Sequence, residues 1–265
     1  MTAVGRIVRS LVSHWEFTLA MSMRDLKTLN RGSVLGIVWV VLRPLIQVGA
    51  YVLIVSYLFG MRLGPEAGPF EYALHVLSGL IPWQMIQRGL DESSSLVRDR
   101  MDILKQVIYP VETLPVSAFL TSLPGPTASL AIYLVLAAWS GALPWTVVLL
   151  PVPLLLLAMF LVGSAWILMI AGVVFKDMRE ALGLILGLLI YFSPVLVNEA
   201  IVGPVIWKLI LIFNPLSHPV ICFRDVLQGS FHGISWIAFA AMAILLFVAG
   251  AWTVNRTKVY INEYL

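Results

Sequence analysis

Four long stretches of the sequence contain no Asp, Glu, Lys, Arg or His, and this pattern constrains the fold more than any other feature. A transmembrane helix needs about 20 consecutive residues that are mostly apolar. Lipid offers the backbone no hydrogen-bond partners, so uninterrupted apolar runs of this length indicate helices. The sequence therefore predicts an all-α polytopic membrane protein with transmembrane helices at 114–139, 145–175, 181–197 and 234–254.

The composition agrees with this class of protein. Apolar residues make up 60% of the 265 residues and charged residues only 12%, whereas soluble domains average about 45–50% and about 25%. Two further runs, 34–59 and 72–90, bring the prediction to six spans. The second is more polar, and it can cross a membrane only if residues such as Gln84 and Arg88 face protein.

The segment 199–232 differs from the six spans. Its apolar run 201–213 reaches only about 20 Å at about 1.5 Å per residue, which is short of the roughly 30 Å hydrocarbon core. Asn214-Pro215 then interrupts the helix, and a second short segment follows. Because irregular backbone at membrane depth is tolerated only against protein or water, we predict a re-entrant hairpin on the outer side.

The distribution of basic residues predicts the orientation. With six spans both termini lie on one side, and of the 17 Lys and Arg residues only Arg62, Lys208 and Arg224 fall on the other side. Cytoplasmic loops carry the excess of Lys and Arg. We therefore expect both termini to be cytoplasmic and the chain to reside in the plasma (inner) membrane. Basic cytoplasmic loops also account for the net charge of +3, so no nucleic-acid partner is expected.

The N-terminal segment 1–32 has the pattern of an amphipathic helix lying at the membrane interface. Apolar residues recur at steps of three or four from Leu11 to Leu29, with Arg24, Lys27 and Arg31 on other faces. No short apolar region follows Arg6 and Arg9, so a cleaved signal peptide is not expected. Without internal repeats or low-complexity linkers, residues 1–265 are interpreted as one transmembrane domain.

The cytoplasmic loop 91–112 mixes charges of both signs. Alternating charge of this kind suits docking to a soluble partner, and an equally acceptable interpretation is a solvated loop. The charges in question run from Asp91 to Glu112 and include Arg98, Asp99, Arg100, Asp102 and Lys105.

Aromatic residues within the spans form the candidate translocation path. Their ring faces and polar tips suit a polyhydroxylated ligand, although Trp and Tyr are also common interfacial anchors. The candidates are Trp39, Tyr51, Trp83, Trp166, Tyr191 and Phe192. Gly183 and Gly187 form a small-xxx-small pair, which permits close helix packing either in a dimer or within the chain.

The sequence lacks the residues that several classes of protein function require. The single Cys222 allows no disulfide within the chain, and no Cys/His spacing resembles a metal site. A GxxxxGK[ST] phosphate loop is absent, so ATP binding by this chain is not expected. Ion-coupled transporters usually place ionisable groups within the membrane, which makes the four charge-free spans unfavourable for a secondary transporter.

Six ordered motifs resemble the membrane subunit of ABC-2-type exporters of polysaccharides and other glycoconjugates. They extend over most of the chain, and their order and spacing are more specific than any one of them. The motifs are RDLKTLNRGSVLGIVWVVLRPL (24–45), GLIPW (79–83), ILKQVIYPVETLPV (103–116), FKDMREAL (175–182), YFSPV (191–195) and NPLSHPVICFRDVLQG (214–229). The chain departs from the family at Leu29-Asn30, where a basic or aromatic residue is frequent.

The resemblance implies a homodimer of six-span subunits working with two copies of a nucleotide-binding ATPase subunit, which would bind ATP and Mg²⁺. The cargo it implies is a lipid-linked glycan of the O-antigen, capsule or teichoic acid type, moved outward through a channel lined by aromatic and small residues, and membrane lipids are a further expected partner. It also implies that the N-terminal helix and the loop after span two contact the ATPase and transmit its motion to spans one and five. The corresponding residues are Arg24, Asp25, Lys27, Arg98, Asp99, Arg100, Asp102 and Lys105.

A membrane-embedded enzyme or scaffold acting on isoprenoid-linked glycans is the alternative hypothesis. Such enzymes generally need clustered Asp, Glu or His near a membrane face. Asp91 and Glu92, with Arg88, are the only candidates, and the sequence places no further acid or base beside them. No catalytic residues are therefore predicted.

Overall fold

A computed structural model describes residues 3–29, 36, 38–54, 68–100 and 110–264. All regular elements in these ranges are helical. In chain order the α-helices are α1 (Ala3–Ser13), α2 (Trp15–Leu29), α3 (Val38–Val52), α4 (Pro69–Ser93), α5 (Leu96–Asp99), α6 (Leu114–Ser122), α7 (Pro124–Trp139), α8 (Pro151–Val174), α9 (Met178–Leu189), α10 (Glu199–Phe213), α11 (Ser217–Gln228) and α12 (Gly233–Tyr264).

Three helical segments among the described residues are long and apolar enough to cross a bilayer. They are Val111–Trp139, Pro151–Val174 and Gly233–Thr257. A fourth candidate is the pair α10 and α11, whose axes are bent by 115° at the break between them. The expectation of an all-helical membrane protein is thereby confirmed, and the count of exactly six spans stays a prediction.

The remaining predicted spans correspond to helices of a different character. The run 34–59 contains α3, and several residues on both sides of α3 lie outside the described residues. The run 72–90 lies within α4, a helix of 25 residues. Because it carries several polar side chains, it is not among the three segments that are apolar enough to cross a bilayer by composition. The run 181–197 is α-helical only to Leu189. A short 3-10 helix follows, and the backbone at Ser193, before Pro194, is extended.

Helix α4 lies at the centre of the bundle. Every residue from Leu74 to Trp83 is buried, so all faces of this part of the helix contact protein. The helices α3, α7, α8, α9 and α11 all pack against it. A helix buried all round belongs in the interior, which explains how a segment with polar residues fits inside a membrane protein.

The N-terminal segment forms two helices separated by a turn at His14. Helix α1 packs on α12, and α2 packs on α6. Ile7 and Met21 are buried in an apolar cluster that includes Trp166. Val12 and Trp15 are exposed, so this segment presents apolar side chains to the bundle and also away from it.

Helices α8 and α12 cross with their backbones in contact at two glycines. A Cβ atom at Gly163 would lie 2.5 Å from the backbone nitrogen of Phe247, and a Cβ at Gly250 would collide with the carbonyl oxygen of Gly163. Small residues permit such close approach in membranes, where dispersion contacts replace the hydrophobic drive. This crossing fixes the last span against the fourth predicted one.

We expect Gly163→Ala and Gly250→Ala each to destabilise the protein, because the added methyl group meets backbone that cannot move aside. Overpacking of this kind typically costs about 1–3 kcal/mol, measurable as a lower thermal unfolding midpoint in detergent. Gly49→Ala is the matched control, since nothing lies within 4 Å of its Cβ position. Equal midpoints for all three variants would contradict the proposed backbone contact.

Candidate functional site

The short helix α5 and the residue after it form a polar junction with four other parts of the chain. Arg98 donates hydrogen bonds to the carbonyl oxygens of Gly172, at 2.9 Å, and Lys176, at 3.1 Å. These carbonyls lie at and just after the C-terminal end of α8, where backbone acceptors have no helical partner and cations are favoured. Arg98 thus caps α8.

Arg100 joins the same junction to the N-terminal segment. Its guanidinium lies 2.6 Å from the Asp25 carboxylate on α2 and 2.5 Å from the Ser117 hydroxyl on α6. Only 13% of the Arg100 side chain and 23% of the Asp25 side chain are exposed. A partly desolvated, hydrogen-bonded pair of this kind is stronger than an ordinary surface pair.

A weaker contact links the junction to α9. Asp99 lies 3.7 Å from Arg179, and both side chains are about half exposed. Asp99 also accepts a hydrogen bond of 2.7 Å from the Ser95 hydroxyl. Residues 98–100 therefore contact α2, α6, the end of α8 and the start of α9, so a displacement of α5 would act on all of them.

This geometry separates the predicted ATPase-contact residues into groups. Asp25 and Arg100 bind each other, and Arg98 caps α8, so these three have partners within the chain. Arg24 and Lys27 are exposed on α2. Asp102 and Lys105 lie outside the described residues. Sequence reasoning grouped all of these charges by their position in the chain, and nothing in the sequence indicates which of them pair across it.

The opposite end of the molecule contains a second polar cluster around α11. Arg224 is buried and donates hydrogen bonds to the carbonyl oxygens of Pro194, at 2.5 Å, and His75, at 3.3 Å. It therefore ties α11 to α4 and to the turn after α9. The signal for this residue was present in the sequence, because an ionisable residue inside a membrane segment is usually functional or paired.

The neighbouring Asp225 binds the start of α12. Its carboxylate accepts hydrogen bonds from the His232 backbone N–H at 2.7 Å, the Ser230 hydroxyl at 2.8 Å and the Trp236 indole N–H at 2.9 Å. Anionic side chains are favoured at a helix N-terminus. Asp225 and Arg224 together hold the bent pair α10 and α11 against the bundle.

The candidate path residues lie in different environments. Trp83 and Trp166 are fully buried inside the subunit, and the Trp166 indole donates to the Glu112 carbonyl at 3.0 Å. Trp39 is half-buried, with the Arg43 guanidinium 5.7 Å from its ring centroid. Tyr191 and Phe192 are exposed. The side chain of Tyr51 lies outside the described part of the structure, although its backbone belongs to α3.

Helix α9 presents an exposed apolar face that includes the predicted glycine pair. Leu184, Ile185 and Leu188 are exposed on it. Among the described residues, nothing lies within 4 Å of the Cβ position of Gly187, and at Gly183 only the Asp91 carboxylate does, at 3.5 Å. The open space beside Gly187 would accommodate another helix.

No group of three or more His, Cys, Asp or Glu side chains capable of holding a metal ion occurs among the described residues. Asp91 and Glu92, the acidic candidates of the alternative enzyme hypothesis, are half-buried on α4. Within the part of the chain that the structure describes, the polar clusters consist of ion pairs, helix caps and hydrogen bonds between helices.

We expect a double-mutant cycle on Asp25 and Arg100 to give an interaction energy larger than the same cycle on Asp99 and Arg179. The first pair is in direct contact and partly desolvated, and coupled pairs of that kind give about 0.5–3 kcal/mol. The second pair is exposed, and such pairs give about 0.2–1 kcal/mol. Thermal unfolding of the alanine variants in detergent measures both, and an equal or smaller coupling for Asp25 and Arg100 would contradict the junction.

Comparison with known proteins identifies the family. The ABC-2 type transporter family matches residues 16–227. The chain is 33% identical over 192 residues, 72% of each chain, to a Myxococcus xanthus protein named O-antigen export system permease protein RfbA. Two Klebsiella pneumoniae proteins of the same name are each 22% identical over 261 residues, 95% of each chain. The chain therefore belongs to the ABC-2 type transporter family, as a multi-pass membrane subunit of a transporter.

Proposed function

We propose that this chain is the permease subunit of an ATP-driven exporter that moves a lipid-linked polysaccharide, of the O-antigen, capsule or teichoic acid type, outward from the cytoplasmic side. The observation that carries the proposal is the similarity, over 95% of the chain, to proteins named O-antigen export permeases. The motifs that suggested a glycoconjugate exporter lie within the same aligned length.

In this proposal two copies of a separate ATPase subunit bind ATP and Mg²⁺, and their motion enters through the junction at residues 98–100. The cations Arg24 and Lys27 on α2 contact the ATPase in this proposal, and their exposure supports that role. The hydrogen bonds of Arg98 and Arg100 then carry a displacement to α8 and α2. Coupling of this kind is a free energy shared between two sites, and the junction supplies the physical contacts that it requires.

The proposed topology has six spans with both termini cytoplasmic in the inner membrane. Helices α1 and α2 lie at the cytoplasmic interface, where exposed apolar side chains such as Val12 and Trp15 contact lipid. The bent pair α10 and α11 forms a re-entrant hairpin on the outer side, and its 115° bend supports this placement. Both assignments agree with the concentration of basic residues on one side of the membrane.

The proposed complex contains two copies of the chain, which meet through α9 and enclose the path between them. The exposed side chains beside Gly183 and Gly187 are apolar, and the space at Gly187 suits close helix approach. Tyr191 and Phe192 follow directly on α9, and Trp39 and Tyr51 lie on α3, so these four aromatic residues are the best candidates for contact with sugar faces. The interior positions of Trp83 and Trp166 favour packing within each subunit.

The experiment that tests this function is purification of the chain after co-expression with the products of adjacent genes. We expect a stable assembly of two permease and two ATPase subunits that hydrolyses ATP in lipid. The control is the ATPase subunit expressed and assayed without this chain. A chain that purifies alone, stimulates no ATPase and transforms an isoprenoid-linked glycan would instead establish the enzyme hypothesis.

The topology gives a separate prediction that uses introduced cysteines. The native Cys222 is buried, so labelling would report on the new thiols. Gly68→Cys, in the loop before α4, should react with a membrane-impermeant thiol reagent added from outside the intact inner membrane. Lys27→Cys, exposed on α2, should react only after the membrane is opened, and the reverse pattern would overturn the assigned orientation.

A further inference from the structure

Three helices share a polar layer in the interior of the bundle. The Gln84 amide on α4 donates to the Gln47 carbonyl oxygen on α3 at 3.2 Å, and its own carbonyl oxygen accepts from the Ser129 hydroxyl on α7 at 3.0 Å. These bonds fix the register of the three helices relative to one another. Polar side chains bridging helices in this way are a recognised means of aligning membrane segments.

The next layer, one helical turn away, places two cations opposite each other. A step of four residues moves about 6 Å along a helix and stays on the same face. From Gln47 this step reaches Arg43, from Gln84 it reaches Arg88, and from Ser129 it reaches Gly125. A Cβ atom at Gly125 would lie 2.9 Å from the Arg88 Nη1 atom, which confirms that these two positions share the layer.

Among the described residues, neither cation has a carboxylate within 4 Å. Arg43 and Arg88 are close enough for their charges to repel, and Glu92 attracts Arg88 without forming an ion pair within 4 Å. Within the described ranges the half-buried Arg88 forms no hydrogen bond, and the contact of Arg43 is with the Trp39 ring. An arginine inside a membrane segment is costly and normally paired, so the half-buried Arg88, which forms no hydrogen bond within the described ranges and has the exposed Arg43 nearby, indicates a site for an anion.

Exposed apolar side chains occur on several faces of α3, including those of Val41 and Leu45, and one row of them extends from Arg43 to the two residues after the helix. Ile46, Leu53 and Ile54 are 55%, 56% and 42% exposed, at spacings of three, ten and eleven residues from Arg43. Residues at these spacings lie on one side of a helix. A cation with an apolar strip leading away from it matches an anionic headgroup joined to a hydrocarbon tail, and a free ion would make no use of the strip.

We propose that Arg43 and Arg88, with the space left by Gly125, bind the phosphate group of an anionic lipid. This inference rests on the proposed function, in which the lipid is the carrier of the exported glycan and the site opens at the cytoplasmic end of α3. Guanidinium groups match phosphate oxygens with paired hydrogen bonds. The bound phosphate would remove the repulsion between the two cations, and the tail would lie along Ile46 and Leu53.

Native mass spectrometry of the full chain in detergent tests the site with four probes. These are undecaprenyl diphosphate, undecaprenol as the uncharged analogue, phosphatidylglycerol as a bulk anionic lipid, and inorganic pyrophosphate. We expect undecaprenyl diphosphate to bind at least about tenfold more tightly than undecaprenol or pyrophosphate, since two guanidinium contacts and the tail contribute together. Equal binding of undecaprenol would overturn the phosphate site, and equal binding of pyrophosphate would overturn the role of the tail.

Three variants show whether the arginines carry the binding. Arg43→Gln and Arg88→Gln should each weaken it by about tenfold or more, by loss of charge-assisted hydrogen bonds. Arg256→Gln is the matched control, because Arg256 also lies 5.7 Å from a tryptophan ring, that of Trp252, four residues before it. Wild-type affinity in both Arg43→Gln and Arg88→Gln would overturn the proposal. A parallel loss for phosphatidylglycerol would support a site that accepts lipid phosphate generally, whereas a loss confined to the diphosphate would assign it to the glycan carrier.

A fourth variant separates binding from folding. Arg43→Glu places a carboxylate opposite Arg88, so we expect an unchanged or higher thermal unfolding midpoint together with loss of lipid binding. A lower midpoint with binding retained would overturn the proposal. Co-purification of the ATPase with the same variants tests the proposed function separately from this site. If lipid binding depends on the arginines but no ATPase partner is found, the exporter is contradicted. If the exporter assembles but lipid binding does not depend on the arginines, only the site is contradicted.

Discussion

A polar helix buried on all sides, α4, is the constraint on which the rest of the bundle depends. In a bilayer the lipid tails are as apolar as the side chains, so apolar surface alone does not tell one helix where to sit against another. The polar groups of α4 supply that information. Gln84 aligns α3 and α7, and the His75 carbonyl receives Arg224 from α11. Each of these polar groups would cost several kcal/mol if it had no hydrogen-bond partner in hydrocarbon. The neighbouring helices are therefore held in one register.

Four charged side chains hold the same bundle together at its two ends. At one end, Arg98 and Arg100 join α5 to α8, α2 and α6. At the other, Arg224 and Asp225 point in opposite directions from α11, one toward α4 and one toward the start of α12. Between these ends the crossing at Gly163 and Gly250 holds α8 and α12 backbone to backbone. A movement introduced at α5 therefore enters a tightly packed pair of helices that extends across the bundle.

The sequence was sufficient for the parts of the fold that local chemistry determines. Charge-free apolar runs predicted the helices, and Asn214-Pro215 predicted the break between α10 and α11, where the Asn214 side chain accepts from the Leu216 N–H and donates to the Phe192 carbonyl. The sequence did not predict which side chains pair across long distances in the chain. Asp25 and Arg100 were both assigned to an ATPase surface because the family resemblance implies that their segments contact the ATPase, and only the folded chain brings them together. The aromatic residues were ambiguous for the same reason, since a mid-span Trp in a core and one beside a path have the same sequence surroundings.

Charged residues are scarce in this chain, so a cation that has no contacting carboxylate among the described residues is informative. With 12% charged residues, most ionisable groups inside the bundle have a specific partner, as Arg98, Arg100 and Arg224 do. Arg43 and Arg88 differ, because their charges repel and neither has a carboxylate within 4 Å among the described residues. In the proposed site a bound anion offsets this repulsion, since charges in a membrane segment are costly unless they are paired. In a membrane protein that anion is most readily supplied by a lipid phosphate, which arrives already attached to a tail suited to the apolar face of α3.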